Sequence, residues 1–195
     1  GLIAVKLKEG DELVDAVVTK PSDELVLATA KGMAIRFPES DARPMGRDTS
    51  GVRGIKLGSG DHLVGMVVAD PDATLLTVCE HGYGKRTPFG TGTPLSGSAP
   101  GEEGEAADAE APEAPESGDE ADGDGSSGMR YRTQRRGGKG IRDIKATARN
   151  GKVVSIVAVR DEDQVLMMTA RGKIQRVNVK EIRPMGRNTQ GVRIM

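Results

Sequence analysis

One short stretch of the sequence concentrates groups that bind phosphate. Residues 134–140 read QRRGGKG, with three cations, three glycines and no apolar side chain in seven positions. Glycines let a backbone approach an anion closely and turn its N–H groups toward it. Arginine and lysine add charge-assisted hydrogen bonds to phosphate oxygens. We call this stretch the box, and its composition indicates a loop that holds a polyanion.

Other interpretations of the box are weaker. A solvated, glycine-rich turn has a similar composition. A nucleotide-binding P-loop fits poorly, because Lys139 is followed by Gly140 instead of Ser or Thr, and the GxxxxGK spacing is missing. Elsewhere, Cys79, His62 and His81 lack the spacing of metal ligands, so we expect structural roles for them and no metal site.

The distribution of charge supports a polyanionic partner. The formal net charge is −1, but residues 95–129 contain 11 acidic residues and no lysine or arginine. Residues 129–195 carry 17 basic and 5 acidic groups, whereas residues 1–94 carry 11 basic and 13 acidic groups. A segment this basic is typical of proteins that bind nucleic acid.

Composition also limits the class of protein. A single cysteine excludes a disulfide framework and indicates a reducing, cytoplasmic compartment. No apolar run approaches the roughly 20 residues of a membrane span, and no signal peptide opens the chain. The first residue is Gly1 instead of Met, so we expect a piece of a longer protein. With only four aromatic residues and no tryptophan, packing must depend on aliphatic side chains.

The sequence repeats itself. RPMGRDTSGVR (43–53) returns as RPMGRNTQGVR (183–193) at a shift of 140, and GVRGIK (51–56) matches GIRDIK (140–145) at a shift of 89. Self-similarity at a period near fifty is the signature of blades or solenoids. The chain therefore holds about three repeats, at 1–50, 51–139 and 140–190.

One insert interrupts the second repeat. Residues 95–129 are rich in Gly, Pro, Ser, Ala, Asp and Glu, and such a segment cannot bury enough apolar area to offset its ordering entropy. We therefore predict a disordered insert at 95–129 between two parts of one domain, 1–94 and 130–195. A tolerated linker and a mimic of DNA that competes for the box are both open interpretations of its acidity.

Each repeat predicts short strands separated by tight turns. In the first repeat the strand-like runs are LIAVKL, LVDAVVT, LVLATA and MAIRF. The turn glycines, several of which should need positive φ, are Gly10, Gly32, Gly60, Gly82, Gly151 and Gly172. Four strands per fifty residues predicts an all-β fold of propeller-like blades, although a solenoid of hairpins has the same period.

The box and its surroundings resemble a known family. QRRGGKG matches the gyrase-A box of the DNA-wrapping carboxy-terminal domain of DNA gyrase A. The neighbouring segments LLTVCEHGYGKRTP (75–88), AKGMAIRFPESDARPMGR (30–47) and GKIQRVNVKEIRPMGRNTQGV (172–192) are similar to the same domain. The resemblance covers roughly residues 1–90 and 130–195.

The resemblance implies a fold and a function. It implies a β-pinwheel, a propeller-like disc of four-stranded antiparallel blades whose strands are shared between neighbours, with about three blades present here. It implies wrapping of double-stranded DNA around a basic rim, so that the holoenzyme, a type II DNA topoisomerase, introduces negative supercoils at the expense of ATP. The implied partners are gyrase B and a second copy of gyrase A in a heterotetramer, with ATP and Mg²⁺ bound outside this fragment and no catalytic residue or cofactor within it.

The resemblance and the repeats together nominate DNA-binding residues. Arginines in the loops equivalent to the box are held in exposed positions by Pro and Gly, and cations that follow the hairpin glycines line either the rim or the outer face of a strand. Arg36 and Arg176 are further cations of this second kind. The nominated residues are Gln134, Arg135, Arg136, Gly137, Gly138, Lys139, Gly140, Arg43, Arg47, Arg53, Lys85, Arg86, Arg183, Arg187 and Arg193.

Two other functions remain open on these residues. The corresponding domain of topoisomerase IV is related, with fewer blades and a degraded box, and the intact QRRGGKG favours gyrase over it. A propeller-like scaffold for an acidic protein partner would satisfy the same charge without binding DNA.

Overall fold

The chain folds into β-sheet. The computed structural model describes residues 3–91 and 127–195, and within them it contains strands and three single-turn 3-10 helices but no α-helix. The strands are β1 (Glu24–Thr29), β2 (Met33–Pro38), β3 (Leu63–Val68), β4 (Thr74–Cys79), β5 (Tyr83–Pro88), β6 (Ile141–Arg142), β7 (Val153–Val159), β8 (Gln164–Met168), β9 (Ile174–Asn178) and β10 (Val192–Arg193). No helix in these residues is long and apolar enough to cross a membrane.

Three hairpins organise the strands into blades. Blade I has the order β3-β1-β2-β6, blade II has the order β10-β5-β4-β7, and blade III is the two-stranded hairpin β8-β9. Every strand pair in these sheets is antiparallel. The prediction of an all-β, propeller-like fold with four-stranded antiparallel blades is confirmed for blades I and II.

The second and third repeats contribute strands to more than one blade. The second repeat adds β3 to blade I before it forms the hairpin of blade II. The third repeat sends β6 back to blade I, adds β7 to blade II, and then forms the hairpin of blade III. Because neighbouring blades exchange strands in this way, a loop that joins them sits at a blade junction, and its side chains can contact two blades at once.

Glycine turns close the hairpins. Gly32, Gly82 and Gly172 each have a φ of 75–83° and donate their N–H to the carbonyl three residues earlier. Gly32 also needs the absence of a side chain, because a Cβ there would lie 2.1 Å from the Ile144 carbonyl oxygen. All six turn glycines predicted from the sequence have positive φ, so that prediction is confirmed.

Two predicted strands are wrong. In the predicted runs LIAVKL (2–7) and LVDAVVT (13–19), the described residues 3–7 and 13–19 form no strand, although 13–18 aligns with β3 at a shift of 50. β3 is a strand because it pairs along β1 from Leu25 to Thr29. A β-strand needs a neighbouring strand to pair with. Within the described residues no hairpin presents an edge to 13–18 as β1 does to β3, so propensity alone does not make this segment a strand.

The core lies between consecutive blades. Val26, Leu75, Ile144 and Ile156 belong to one buried cluster that joins blade I to blade II. A smaller cluster, around Leu76 and the residues near β9, joins blade II to blade III. Apolar contacts between blades therefore hold each hairpin in a fixed relation to the next.

The described residues on the two sides of the predicted insert are in contact. Phe89 and Tyr131 are both buried, their ring centroids are 6.1 Å apart, and the Tyr131 N–H donates to the Phe89 carbonyl over 3.3 Å. Most of the predicted insert, residues 95–126, lies outside the described residues, and so do both interpretations of its acidity.

Candidate nucleic-acid interface

Backbone hydrogen bonds to blade I fix the box loop in place. The Gln134 N–H donates to the Arg36 carbonyl over 2.7 Å, and the Gly137 N–H donates to the Gly54 carbonyl over 2.8 Å. The loop then enters β6, the edge strand of blade I. The box is thus a short crossing between the segment that follows the blade II hairpin and the edge of blade I.

Packing explains the last glycine of the box. Gly140 has a φ of 78°, and a Cβ there would lie 2.4 Å from the Ala34 carbonyl oxygen in β2. The equivalent Gly191 has a φ of 75° and stands in the same relation to the Gly84 carbonyl oxygen, at 2.6 Å. Close approach of two backbones therefore requires this glycine, whether or not an anion binds.

The cations of the box differ in their surroundings. Arg135 and Lys139 are exposed, and neither side chain has a hydrogen bond or ion pair within the described residues. Arg136 is half-buried, and its guanidinium donates to two backbone carbonyls, Asp41 O at 2.8 Å and Arg53 O at 2.7 Å. Gln134 is half-buried too, and its amide nitrogen has no partner in the described part of the chain.

Exposed cations recur at the same positions of successive repeats. The box (134–140) is equivalent to the loops 45–51 and 185–191, at shifts of 89 and 51 residues. The same shifts relate three sets of exposed basic residues. The sets are Arg43, Arg132 and Arg183; Arg53, Arg142 and Arg193; and Lys56 with Lys145. These two arginine positions therefore recur as exposed cations around all three loops, and the lysine position around two of them.

Four members of these sets were missed by the sequence analysis. Arg132, Arg142, Lys56 and Lys145 are exposed and occupy positions equivalent to nominated or recurring cations. The signal was available in the sequence, because the shift of 89 that matches GVRGIK with GIRDIK aligns Arg53 with Arg142 and the two lysines with each other.

Two of these arginines lie on edge strands in the same register. Arg142 in β6 stands opposite Met33 of blade I, and Arg193 in β10 stands opposite Tyr83 of blade II. Met33 and Tyr83 are 50 residues apart, one repeat. Charged side chains on an exposed edge also prevent another strand from pairing there. These arginines therefore protect the sheet edge, in addition to any contact that they make with a ligand.

Lys85, which was nominated as a DNA-binding residue, lies inside the molecule. Its side chain is fully buried, and its Nζ lies 2.8 Å from Oδ1 of the buried Asp143. Tyr131 Oη and Thr77 Oγ1 also donate to this carboxylate, over 2.6 and 2.7 Å. Burial lowers the pKa of Lys85, and the Asp143 carboxylate opposes that effect. This network joins blade II to Asp143, which follows β6 of blade I, and to Tyr131, which precedes the box.

Arg86, which was also nominated, and Arg36 are buried ties between blades. Arg36 donates to the Tyr131 carbonyl over 3.0 Å and pairs with Glu24. Arg86 donates to the Ile182 carbonyl, which is equivalent to that of Tyr131, and pairs with Asp161. The equivalent Arg176 of blade III is exposed. From the sequence, such residues were expected either at the rim or on the outer face of a strand. Arg36 and Arg86 occupy neither position, because both are buried.

Arg187, another nominated DNA contact, is also buried, with 9% of its surface exposed. Its Nε donates to the Arg130 carbonyl over 2.7 Å, and its Nη1 lies 3.4 Å from the Arg142 carbonyl oxygen. The equivalent Arg47 in the first loop is exposed. Arg43, Arg53, Arg183 and Arg193, which were also nominated, are exposed.

Aromatic surface is scarce. Phe37, Phe89 and Tyr131 are buried, and Tyr83 is half-buried beneath Arg149, whose guanidinium carbon lies 5.2 Å from the ring centroid. Burial raises the pKa of Tyr131 well above its ordinary value, so its hydroxyl stays protonated. Within the described residues no group of three His, Cys, Asp or Glu side chains could hold a metal ion.

Shared strands, hairpin blades and recurring exposed cations define a propeller-like repeat protein with basic blade junctions. Comparison with known families gives the same class. The family described as DNA gyrase C-terminal domain, beta-propeller, matches residues 1–20, 23–70, 130–160 and 163–195. The chain belongs to this family.

Full-length relatives carry the corresponding name. The DNA gyrase A subunit of Escherichia coli strain K12 is 40% identical over 192 residues, and that of Klebsiella oxytoca is 39% identical over 192 residues. The gyrase A subunit of Chlamydia pneumoniae is 32% identical over 201 residues. The first two alignments cover 98% of this chain and the third covers 100%. The chain spans only 18–19% of these relatives' length.

Solved structures share the fold. A structure of the DNA gyrase A C-terminal domain matches with a TM-score of 0.75 at 24% identity, over 100% of this chain and 54% of that one. The C-terminal domain of DNA topoisomerase IV matches with a TM-score of 0.73 at 21% identity, over 98% of this chain and 48% of that one.

Proposed function

We propose that this chain binds and wraps double-stranded DNA without sequence specificity, as part of the C-terminal region of a DNA gyrase A protein. The observation that carries the proposal is the recurrence of exposed cations at equivalent positions of successive blades. Such a series suits the regular spacing of duplex phosphates, whereas a single sequence-reading element would not repeat.

Wrapping requires many contacts because bending DNA is costly. Smoothly curving 20–30 base pairs by 40–90° costs on the order of 1–6 kcal/mol. Phosphate contacts carry no sequence information, and each neutralised phosphate releases counterions. Cations distributed over several blade junctions can offset the bending energy, while a single cluster would bind a short segment and leave the duplex straight.

Double-stranded DNA fits this surface better than single-stranded nucleic acid. Proteins that bind single strands without sequence preference stack bases on exposed aromatic rings. All four aromatic residues of this chain lie in its described part, and three of them are buried. Tyr83, the half-buried one, is covered by Arg149.

The proposed setting is a type II topoisomerase. Because the chain spans less than a fifth of the gyrase A relatives, the ATP-dependent introduction of negative supercoils belongs to the whole enzyme, with gyrase B and a second copy of gyrase A as partners. ATP and Mg²⁺ bind outside this chain in this proposal, and the chain supplies no catalytic residue. The proposed location is the cytoplasm, in association with the chromosome.

The proposal is tested by the salt dependence of duplex binding. In the full-length protein, Arg132→Gln, Arg142→Gln and Lys145→Gln together remove one member of each recurring set, all three from the part of the chain around the box. If each cation neutralises one phosphate, the slope of log K against log salt becomes less negative by about 2.7. Measurement of duplex affinity from 50 to 200 mM salt gives that slope.

A matched variant controls for net charge. Arg171→Gln, Lys173→Gln and Lys180→Gln also remove three exposed cations, but these do not recur as cations in blade II. We expect the slope of this variant to equal that of the parent protein. Equal loss of slope in both variants would reduce the interaction to general charge and contradict a defined path for DNA.

The two alternative functions predict different behaviour. A scaffold for an acidic protein would bind duplex DNA weakly, and neither triple variant would change the slope. The topoisomerase IV domain shares the fold, but the intact box and the 39–40% identity to relatives named for DNA gyrase favour gyrase.

A further inference from the structure

Three equivalent loops share one arginine and differ in their other cations. The box, QRRGGKG, aligns with MGRNTQG (185–191) and MGRDTSG (45–51). The third position is arginine in all three loops. The second and sixth positions are Arg135 and Lys139 in the box, but they are Gly and Gln or Gly and Ser in the other two. The box is therefore distinguished by two cations, not three.

The shared arginine makes the same contacts in both loops that lie between two described blades. Arg136 donates to the Asp41 and Arg53 carbonyls over 2.8 and 2.7 Å. Arg187 approaches the Arg130 and Arg142 carbonyls, at 2.7 and 3.4 Å. The two pairs of carbonyls are related by the shift of 89 residues, so each arginine joins its own loop to equivalent points of the chain.

Backbone hydrogen bonds repeat this arrangement. Gly137 N–H donates to the Gly54 carbonyl over 2.8 Å, as Asn188 N–H donates to the Asp143 carbonyl over 2.7 Å. In each loop the carbonyl of the following residue accepts a hydrogen bond from a backbone N–H. The donors are the backbone N–H groups of Lys56 and Lys145, both over 2.8 Å. The two loops are thus fastened alike, and the guanidinium is one part of a repeated structural unit.

We propose a division of roles within the box, which rests on the proposed function: Arg136 is a positioning residue that ties the loop to blade I, and Arg135 and Lys139 are the side chains that contact phosphate. Arg135 and Lys139 are exposed and have no side-chain partner in the described residues. The Arg136 guanidinium already donates to two carbonyls, and its planar fork holds both at once. The tie orders the loop before DNA arrives.

The substitution Arg136→Lys separates the two roles. Lysine keeps the charge but lacks the fork that spans two carbonyls. If Arg136 only supplied charge, the variant would bind duplex DNA like the parent. If Arg136 positions the loop, the variant loses affinity about tenfold, because Arg135 and Lys139 must then be ordered during binding. Melting of the full-length protein reports the loss of the tie itself.

Two further variants complete the test in the full-length protein. Arg187→Lys removes the same tie from a loop that has no cation at the second or sixth position, so we expect a similar loss of thermal stability with unchanged duplex affinity. Arg135→Gln with Lys139→Gln should make the salt slope less negative by about 1.8. In the Arg136→Lys background this pair of substitutions should cost less affinity than it does alone, because the two groups act through one ordered loop.

Specific outcomes overturn the proposal. It fails if Arg136→Lys leaves both melting temperature and duplex affinity unchanged, if Arg187→Lys lowers affinity as much as Arg136→Lys, or if the Arg136 and Arg135/Lys139 effects are fully additive. Failure of the proposed function looks different: the parent protein would show no salt-dependent duplex affinity, while the two Arg→Lys variants would still lower the melting temperature.

Discussion

At the scale of single residues, burial separates basic side chains that look alike in the sequence. Arg43 and Arg135 were predicted as exposed loop cations, and they are exposed. Lys85 was placed among them because it follows a turn glycine, yet it is fully buried against Asp143. The pairing joins residues 58 positions apart across the insert, and no local pattern encodes it.

Substitution of Lys85 tests this structural role. Lys85→Ala leaves the buried Asp143 carboxylate without its cation, and breaking a buried ion pair typically costs about 3–5 kcal/mol. We therefore expect the free energy of unfolding in urea to fall by that amount. Lys173→Ala, at an exposed position, should change it by less than about 0.5 kcal/mol. A loss of duplex affinity in Lys85→Ala without a loss of stability would contradict this assignment.

The thiol of Cys79 predicts a pH dependence. Burial, followed by the nearby Asp143 and Glu80 carboxylates, raises the pKa of Cys79 to about 11 from an ordinary value of 9.0. The unfolded chain loses this proton above about pH 9, so the stabilisation is complete below pH 9 and is lost as the pH rises through about 11.

Comparison with Cys79→Ala isolates that contribution. The free energy of unfolding of the parent relative to the variant should fall by about 2 kcal/mol between pH 8 and pH 11. Other groups that titrate in this range, including Tyr131 in the unfolded chain, cancel in the difference. A difference that stays constant with pH would show that the thiol ionises equally in both states.

At the scale of elements, turns were predictable and strand pairing was not. Glycine chemistry identified the hairpin turns, because positive φ is a local requirement. Segment 13–18 has the same apolar alternation as β3, yet it forms no strand in the absence of a paired edge. The return of β6 and β10 to an earlier blade also escaped local analysis, because two-residue strands carry no periodicity.

Gly140 tests the close approach of the box loop to blade I. Gly140→Ala should cost about 2–4 kcal/mol of unfolding free energy, since it combines positive φ with a Cβ 2.4 Å from the Ala34 carbonyl oxygen. Gly172→Ala is the matched control, because Gly172 has a φ of 79° with no atom within 4 Å of an added Cβ. It should cost about 1–2 kcal/mol. Equal costs at both positions would contradict a tight contact at Gly140.

At the scale of the whole molecule, the repeat is the feature that sequence captured best. A period near fifty, with shifts of 89 and 140 residues between matching segments, predicted the blades and the equivalence of their loops. When residues related by these shifts are compared in the structure, some arginines are found to bind backbone carbonyls and others are exposed. That distinction depends on carbonyls supplied by a neighbouring blade, and it needs three-dimensional information.

The acidic segment can be removed because its flanks already meet. Deletion of residues 92–126, which contain all 11 acidic residues of the predicted insert, should leave the unfolding free energy within about 1 kcal/mol, since Tyr131 N–H donates to the Phe89 carbonyl without it. Duplex affinity at low salt then separates the two interpretations of its charge. A gain in affinity supports a mimic of DNA, and unchanged affinity supports a linker.

Wrapping itself is tested most directly by DNA topology. A nicked circular plasmid is sealed by ligase in the presence of the full-length protein without ATP, and the linking numbers of the purified circles are then compared with those of circles sealed alone. We predict a shift in linking number that grows with protein concentration and is reduced by Arg132→Gln, Arg142→Gln and Lys145→Gln together. Salt-dependent binding with an unshifted distribution would mean that the protein holds DNA without wrapping it, and would contradict the account.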